Sequence, residues 1–365
     1  MRRKTRFVCV SDTHGYTPAE AGFKLPAGDV LIHAGDLTNQ GRIDELRKTV
    51  DWIAAADFEV KIVICGQCQR PKKPYAQPSA PRNHDITLDP NFYTEHGSKF
   101  HGNRLEDHQK CIEVVTAAVA SSSIVFLRHE SALVRLTRPN GPNTIFKVFG
   151  SPYSQSPGSW AYGYESMDAA ALWSRIPLDA DIVVTHTPPH SHCDSRATGG
   201  SVGCKALRQV LSRVRPSLAI CGHVHESRGY ERVRWSFGGL SEQHQVIRGA
   251  LPPPGSKKQS LIDLTGKKAQ QRRLGNDDFF FDGDAVVLPP EGGDVESREP
   301  RTTSFSTRSR PKPDECPNDS PDSRSHRWET CIVNAAILAT SWPHRGGKRF
   351  NTPIVVDLEL PTWRE

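Results

Sequence analysis

Short apolar runs that stop at a carboxylate or an imidazole recur along this chain, and they constrain its fold more than any other feature. Residues 5–11 read as a buried strand ending at Asp12-Thr13-His14-Gly15, and residues 29–33 as a second ending at Ala34-Gly35-Asp36. Ile43, Leu46, Val50 and Ile53 then recur at helical spacing, and residues 59–65 form a third apolar strand. This β-α-β rhythm places the chain in the α/β class, whose binding crevices lie beyond the carboxyl ends of strands. A helical pattern returns across 104–120, and strands follow at 124–127, 132–136 and 144–149. A further strand, 181–185, opens onto His186-Thr187-Pro188-Pro189. Residues 204–214 are helical by the spacing of Leu207, Val210, Leu211 and Val214, and the strand 217–221 runs into Gly222-His223-Val224-His225.

At 365 residues the chain exceeds a typical domain, which predicts one domain of about 250 residues plus irregular sequence. From 249 to 327 the composition shifts to Pro, Ser, Arg, Asp and Gly. Too little apolar surface remains there to offset ordering entropy, so 249–327 reads as a disordered insertion, with Phe279-Phe280-Phe281 as a local contact or partner motif. Apolar runs at 331–337 and 353–358 then read as closing strands, so that 328–365 completes the domain begun by 1–248.

The formal charge of +6, from 47 basic and 41 acidic residues, comes largely from runs such as Pro71-Lys72-Lys73 and residues 267–273. No aromatic residues interleave with them, so they read as solvated loops and no nucleic-acid partner is expected. The apolar run 7–10 is too short for a signal segment, and no stretch approaches the roughly 18 apolar residues of a membrane span. No membrane partner is expected, and the expected location is cytoplasmic. Nine scattered Cys without a framework suit free thiols.

Asp12-x-His14, Gly35-Asp36, Asn83-His84-Asp85, His186 and His223-x-His225 offer oxygen and nitrogen donors that suit Mn, Zn or Fe. Singly, each has a bland reading. Asp12-x-His14 is a turn or helix cap, His186 a buried histidine bonded to backbone, and His223-x-His225 a polar strand end. Only a common binding site gives all of them, in this order, a reason to follow apolar strands.

That ordered set resembles the calcineurin-like metallophosphoesterase superfamily, whose signature runs Asp-x-His, Gly-Asp, Gly-Asn-His-Asp or Glu, His, then Gly-His-x-His. The resemblance spans residues 5–234. Within it the chain looks most like the metallophosphoesterase-domain-containing branch, through Ser11-Asp12-Thr13-His14, His33-Ala34-Gly35-Asp36-Leu37-Thr38, Gly150-Ser151-Pro152-Tyr153, Thr185-His186-Thr187-Pro188-Pro189 and Gly222-His223-Val224-His225-Glu226. The resemblance implies a four-layer αββα sandwich of two mixed β-sheets flanked by helices. It implies two divalent ions (Mn favoured, Fe or Zn the alternatives), one held by Asp12, His14 and His225, the other by Asn83, His186 and His223, with Asp36 bridging. It further implies a small phosphoester substrate contacted by Asn83 and His84, and in-line attack by a metal-bridging hydroxide. His84 would protonate the leaving oxygen or stabilise its charge, and Asp85 would orient His84. For this branch the implied substrate class is small phosphodiesters, cyclic nucleotides included.

In the family a glycine directly precedes the asparagine, whereas here residues 67–82, rich in Pro, Lys and Gln, separate Gly66 from Asn83. The stretch reads either as an inserted loop at the site rim or as a gene-model artefact. Cys65-x-x-Cys68 lacks zinc partners at matching spacing. His190-Ser191-His192-Cys193 reads as a solvated loop beside His186. Two rival functions remain. A protein Ser/Thr phosphatase would carry an Asp-Arg pair where Asn39-Gln40 stands, and a catalytically weak nucleotide-binding scaffold would have little use for a complete ligand set.

Overall fold

The computed structural model describes residues 1–66, 84–155, 160–196, 199–235, 244–253, 256, 258–267, 273–274, 327–340, 344 and 346–363. Its strands are β1 (Arg2–Val10), β2 (Val30–Ala34), β3 (Val60–Ile64), β4 (Ile124–Phe126), β5 (Glu130–Arg135), β6 (Ile145–Ser151), β7 (Ser154–Gln155) and β8 (Gly163–Tyr164). There follow β9 (Ile182–Thr185), β10 (Leu218–Cys221), β11 (Gly229–Arg234), β12 (Gln245–Gly249), β13 (Ser260–Asp263), β14 (Glu329–Asn334) and β15 (Ile354–Pro361). The helices are α1 (Pro18–Ala21), α2 (Ile43–Ala55), α3 (Pro90–His101), α4 (His108–Ser121), α5 (Ala169–Trp173) and α6 (Lys205–Val214).

Thirteen of these strands form a six-stranded sheet in the order β13-β15-β1-β2-β3-β4 and a seven-stranded sheet in the order β12-β11-β14-β10-β9-β6-β5, and β7 and β8 pair with each other. Both are mixed: β1 is parallel to β2 and antiparallel to β15, while β14 is parallel to β10 and antiparallel to β11. Alternation along each strand divides its side chains between two apolar layers. Phe7 and Cys9 of β1 face inward and join Phe146, Val148, Ile182, Ile220 and Val333 of the other sheet in one buried layer. Val8 and Val10 face outward, onto Leu46, Val50 and Ile53 of α2 and Cys111 and Val115 of α4. On the far side, Val183, Ala219 and Ile332 pack against Trp173 of α5 and Leu207 and Leu211 of α6. The result is the helix-sheet-sheet-helix order of an αββα sandwich.

Two boundaries differ from the sequence reading. The helix expected over 104–120 starts at His108, because the Asp107 carboxylate accepts from the backbone N–H groups of Gln109 and Lys110 and so caps it. Residues 249–327 are not one insertion. Ser260–Asp263 pairs in parallel with β15 and buries Ile262 between the sheets. Four residues carry too short a pattern to stand out against Gly- and Lys-rich flanks. Residues 275–326, with the Phe triplet, and residues 67–83, with Asn83 and Cys68, lie outside the described residues. The compact unit is Met1–Asn276 with Arg327–Glu365. The closing runs serve different sheets, β14 between β10 and β11, and β15 between β13 and β1. Among the described residues no helix is long and apolar enough to cross a membrane.

Candidate metal centre

The parallel strands β1, β2, β9 and β10 end together, and each delivers a polar residue just past its last ladder bond. At those ends the backbone turns sharply: Asp12, His14, Asp36 and His223 have φ of 54°, 47°, 54° and 68°. Left-handed backbone at a non-glycine residue costs on the order of 1–3 kcal/mol and persists where surroundings over-determine it. Here the strain aims side chains into one buried place. Asp12 and His186 are fully buried and Asp36 is 2% exposed.

Two donor sets converge. In one, His225 Nε2 lies 3.2 Å from both Asp12 Oδ1 and His14 Nε2. In the other, His186 Nε2 lies 3.2 Å from Asp36 Oδ1. Asp12, His14 and His225, then Asp12, Asp36 and His186, then His14, Asp36 and His84 each offer ligand atoms within 4.8 Å of one another. His223 donates its backbone N–H to Asp12, and its ring stands against that of His186 with centroids 5.1 Å apart. Asn83 lies outside the described residues.

Backbone carbonyls fix three of the imidazoles. The Nδ1 atoms of His84, His186 and His225 lie 2.8, 2.9 and 3.1 Å from the carbonyl oxygens of Asn39, Ala34 and Thr340. A carbonyl can only accept, so each Nδ1 donates and each Nε2 keeps a lone pair toward the site. Asn334 braces the loop that carries His223 and His225, donating to the carbonyls of Cys193, Gly222 and Val224. Gly222 has no room for a side chain, since a Cβ would stand 2.2 Å from Asp12 Oδ2.

The charges call for cations. Among the described residues the ion-pair partners of Asp12 and Asp36 are all histidines. Burial disfavours the charge on Asp12, yet the hydrogen bond from His225 holds its carboxyl below the usual range. Burial alone would lower His186, but the charges of Asp36 and then Asp12 raise it to about 10, which shows how strongly this place favours positive charge. His223, by burial and then by the charge of His186, is pushed down to about 3. Two buried carboxylates with no Lys or Arg partner among the described residues, ringed by imidazoles, fit divalent ions that favour oxygen and nitrogen donors.

Two sequence expectations change. Asp85 does not orient His84: its carboxylate accepts from Leu37 N, Thr38 N, Thr38 Oγ1 and Gly66 N at 2.8–3.0 Å, tying the Asp36 loop to the end of β3. Asn39 orients His84 instead. His84 stands beside the donors, its ring centroid 4.3 Å from that of His14. Beyond His186, His192 is not in a solvated loop but fully buried, with Nδ1 on Glu231 at 2.8 Å. The sequence reading missed Asn39, Thr340 and Asn334. The first two act through backbone carbonyls, which no residue type announces, whereas Asn334 stands as a polar residue at the end of an apolar run.

Residues 5–227 match the family model described as calcineurin-like phosphoesterase. A protein of Emericella nidulans named probable rhamnogalacturonate lyase C is 37% identical over 244 residues, which cover 65% of this chain and 19% of that protein. Metallophosphoesterase domain-containing protein 1 of Homo sapiens is 32% identical over 240 residues, 62% of each chain. The chain therefore spans less than two thirds of either relative.

Proposed function

The chain belongs to the calcineurin-like phosphoesterase family, and from that premise we propose that it hydrolyses a small phosphodiester, cyclic nucleotides included, at a two-metal centre with manganese favoured. The observation that carries this reading is the convergence of Asp12, His14 and His225 beside Asp36 and His186 on one buried floor. Asp12, His14 and His225 would hold one ion, and His186, His223 and Asn83 the other, with Asp36 shared. Divalent ions held there supply Lewis-acid polarisation of the phosphoryl oxygens and a water activated at neutral pH. The protein's own part is to fix the lone pairs through the carbonyls of Ala34, Asn39 and Thr340, and to keep Asp36 in place through Asp85.

His84 has two roles open to it. As a leaving-group acid it would hold a proton on Nε2; its place beside His14 and Asp36 favours a second role, as a ligand or support of the centre. Asn39 and Gln40 spend their carbonyls on His84 and His101, and no arginine follows Asp36 as in a protein Ser/Thr phosphatase, which supports the diester reading. A cytoplasmic setting is part of the proposal, supported by seven described cysteines that are all free and buried.

Protein stripped with chelator should lose diesterase activity and regain it with Mn across a panel of cyclic nucleotides and aryl phosphates. Asp36→Asn should cost more than any other ligand change, because a neutral amide bridges two cations poorly. The exposed Glu226→Gln is the control, and equal losses in the two variants would sink the bridging role.

A further inference from the structure

We propose that a second site, at the opposite end of the strands from the metal centre, binds a multiply phosphorylated small molecule. A cavity of about 630 Å³ opens there, lined by Arg2, Arg3, Lys4 and Arg6 of β1 and by Lys267, which follows β13. Arg2 begins β1 and Asp12 follows its end, so at about 3.3 Å per residue the two sites stand roughly 30 Å apart. The basic runs at the N-terminus and at 267–273 are far apart in sequence. Pairing of β13 and β1 with opposite sides of β15 brings Lys267 and Arg273, at the two ends of the second run, to the first.

The charges there are unevenly committed. Arg6 makes a two-pronged pair with Asp357 at 2.7 and 2.8 Å, and the carboxylates at the rim are engaged as well. Asp29 accepts from Arg6 N at 2.7 Å, and Glu359 pairs with Arg273 at 3.0 Å. Arg3 and Lys267 are exposed and make no ion pair with a described residue. A surplus of cations over free carboxylates in a concave space attracts an anion, and the volume falls in the range of small-ligand pockets, about 300–1,000 Å³. The Asn140-Gly141-Pro142 turn lines the cavity from the other sheet, and none of its lining residues is aromatic. Bases would have nothing to stack on, whereas phosphates need only guanidinium and ammonium groups. The lining therefore selects a phosphate-dense small molecule over a nucleic-acid strand.

The test is calorimetric titration of the full chain, metal loaded, with inorganic tripolyphosphate and with inositol hexakisphosphate at low and high salt. Saturable binding that weakens with salt is expected, with affinity about tenfold lower in the double variant Arg3→Ala and Lys267→Ala. Phosphoesterase rate and thermal midpoint should not change, because neither side chain makes an ion pair with a described residue. The charge-keeping pair Arg3→Lys and Lys267→Arg should retain binding. Vesicles carrying a phosphoinositide form a second arm. Capture lost in the double variant assigns the phosphates to a lipid headgroup, and binding of the soluble probes alone assigns them to a free metabolite. Binding of neither probe nor vesicle overturns the proposal. So does binding that survives the double variant but vanishes in Asp36→Asn, which would place the phosphates at the metal centre. Tighter binding of a single-stranded oligonucleotide of matched charge overturns it in favour of a nucleic-acid surface.

Discussion

At the scale of single residues, the centre shows how little of a histidine's role is set by its identity. His84, His186 and His225 point Nε2 at the donor cluster because a carbonyl holds Nδ1, while His129 is held by Ser151 Oγ at 2.9 Å, outside that cluster. His84→Ala separates the two roles of His84. If it protonates the leaving group, alkyl esters should slow far more than p-nitrophenyl esters, at unchanged metal content by elemental analysis. Equal slowing with lost metal would make it a ligand. Burial, with Arg175 nearby, pushes His129 down to about 4. Unfolded, it titrates near 6.5 and binds a proton that the folded state refuses. Its neutral form therefore supports the fold above pH 6.5, and that support is lost progressively between about pH 6.5 and 4, up to about 3 kcal/mol in all. His129→Asn should flatten the fall of unfolding free energy across that window, measured by denaturant titration, since asparagine tolerates the φ of 65°. An unaltered slope would assign the acid sensitivity elsewhere.

At the scale of elements, what matters is which segments hold the strand ends together. Asp85 joins Leu37, Thr38 and Gly66 through one carboxylate, and its charge is disfavoured by burial and then by Asp36, which push it to about 7. This tie bears on residues 67–82. Gly66 N lies 2.8 Å from the Asp85 carboxylate, so described residues on either side of the stretch are held close to each other. Deleting 67–82, so that Gly66 joins Asn83, should therefore leave the fold intact and raise both metal content and turnover. Shortening the connection also lowers its closure entropy by about 1–2 kcal/mol, so the thermal midpoint should not fall. Loss of metal and of turnover on deletion would mean that the stretch contacts substrate or supports the site. The β-α-β rhythm and the helix of Ile43, Leu46, Val50 and Ile53 were legible because they repeat over many residues. Ser260–Asp263 was not, since four residues carry no period and only pairing with β15 makes them a strand.

At the scale of the whole molecule, the donors come from both sheets: Asp12 and Asp36 follow strands of the six-stranded sheet, His186 and His223 strands of the seven-stranded one. Ions bound between them would cross-link the two layers. Metal at 100 times its dissociation constant should add about 2.7 kcal/mol to unfolding free energy, and chelator should lower the thermal midpoint accordingly. A midpoint indifferent to chelator would mean that the centre does not hold metal in the folded state. By itself the sequence determined the α/β class and the order of donors, because both are local: apolar periods and the residues that end them lie within a few positions of each other. Only the tertiary structure decided that Asp85 braces backbone, that Asn39 and Thr340 orient imidazoles, and that Lys267 shares a cavity with the basic N-terminal run. Each of those depends on atoms brought together across dozens to hundreds of residues, by carbonyls and strand pairings that leave no mark on residue type.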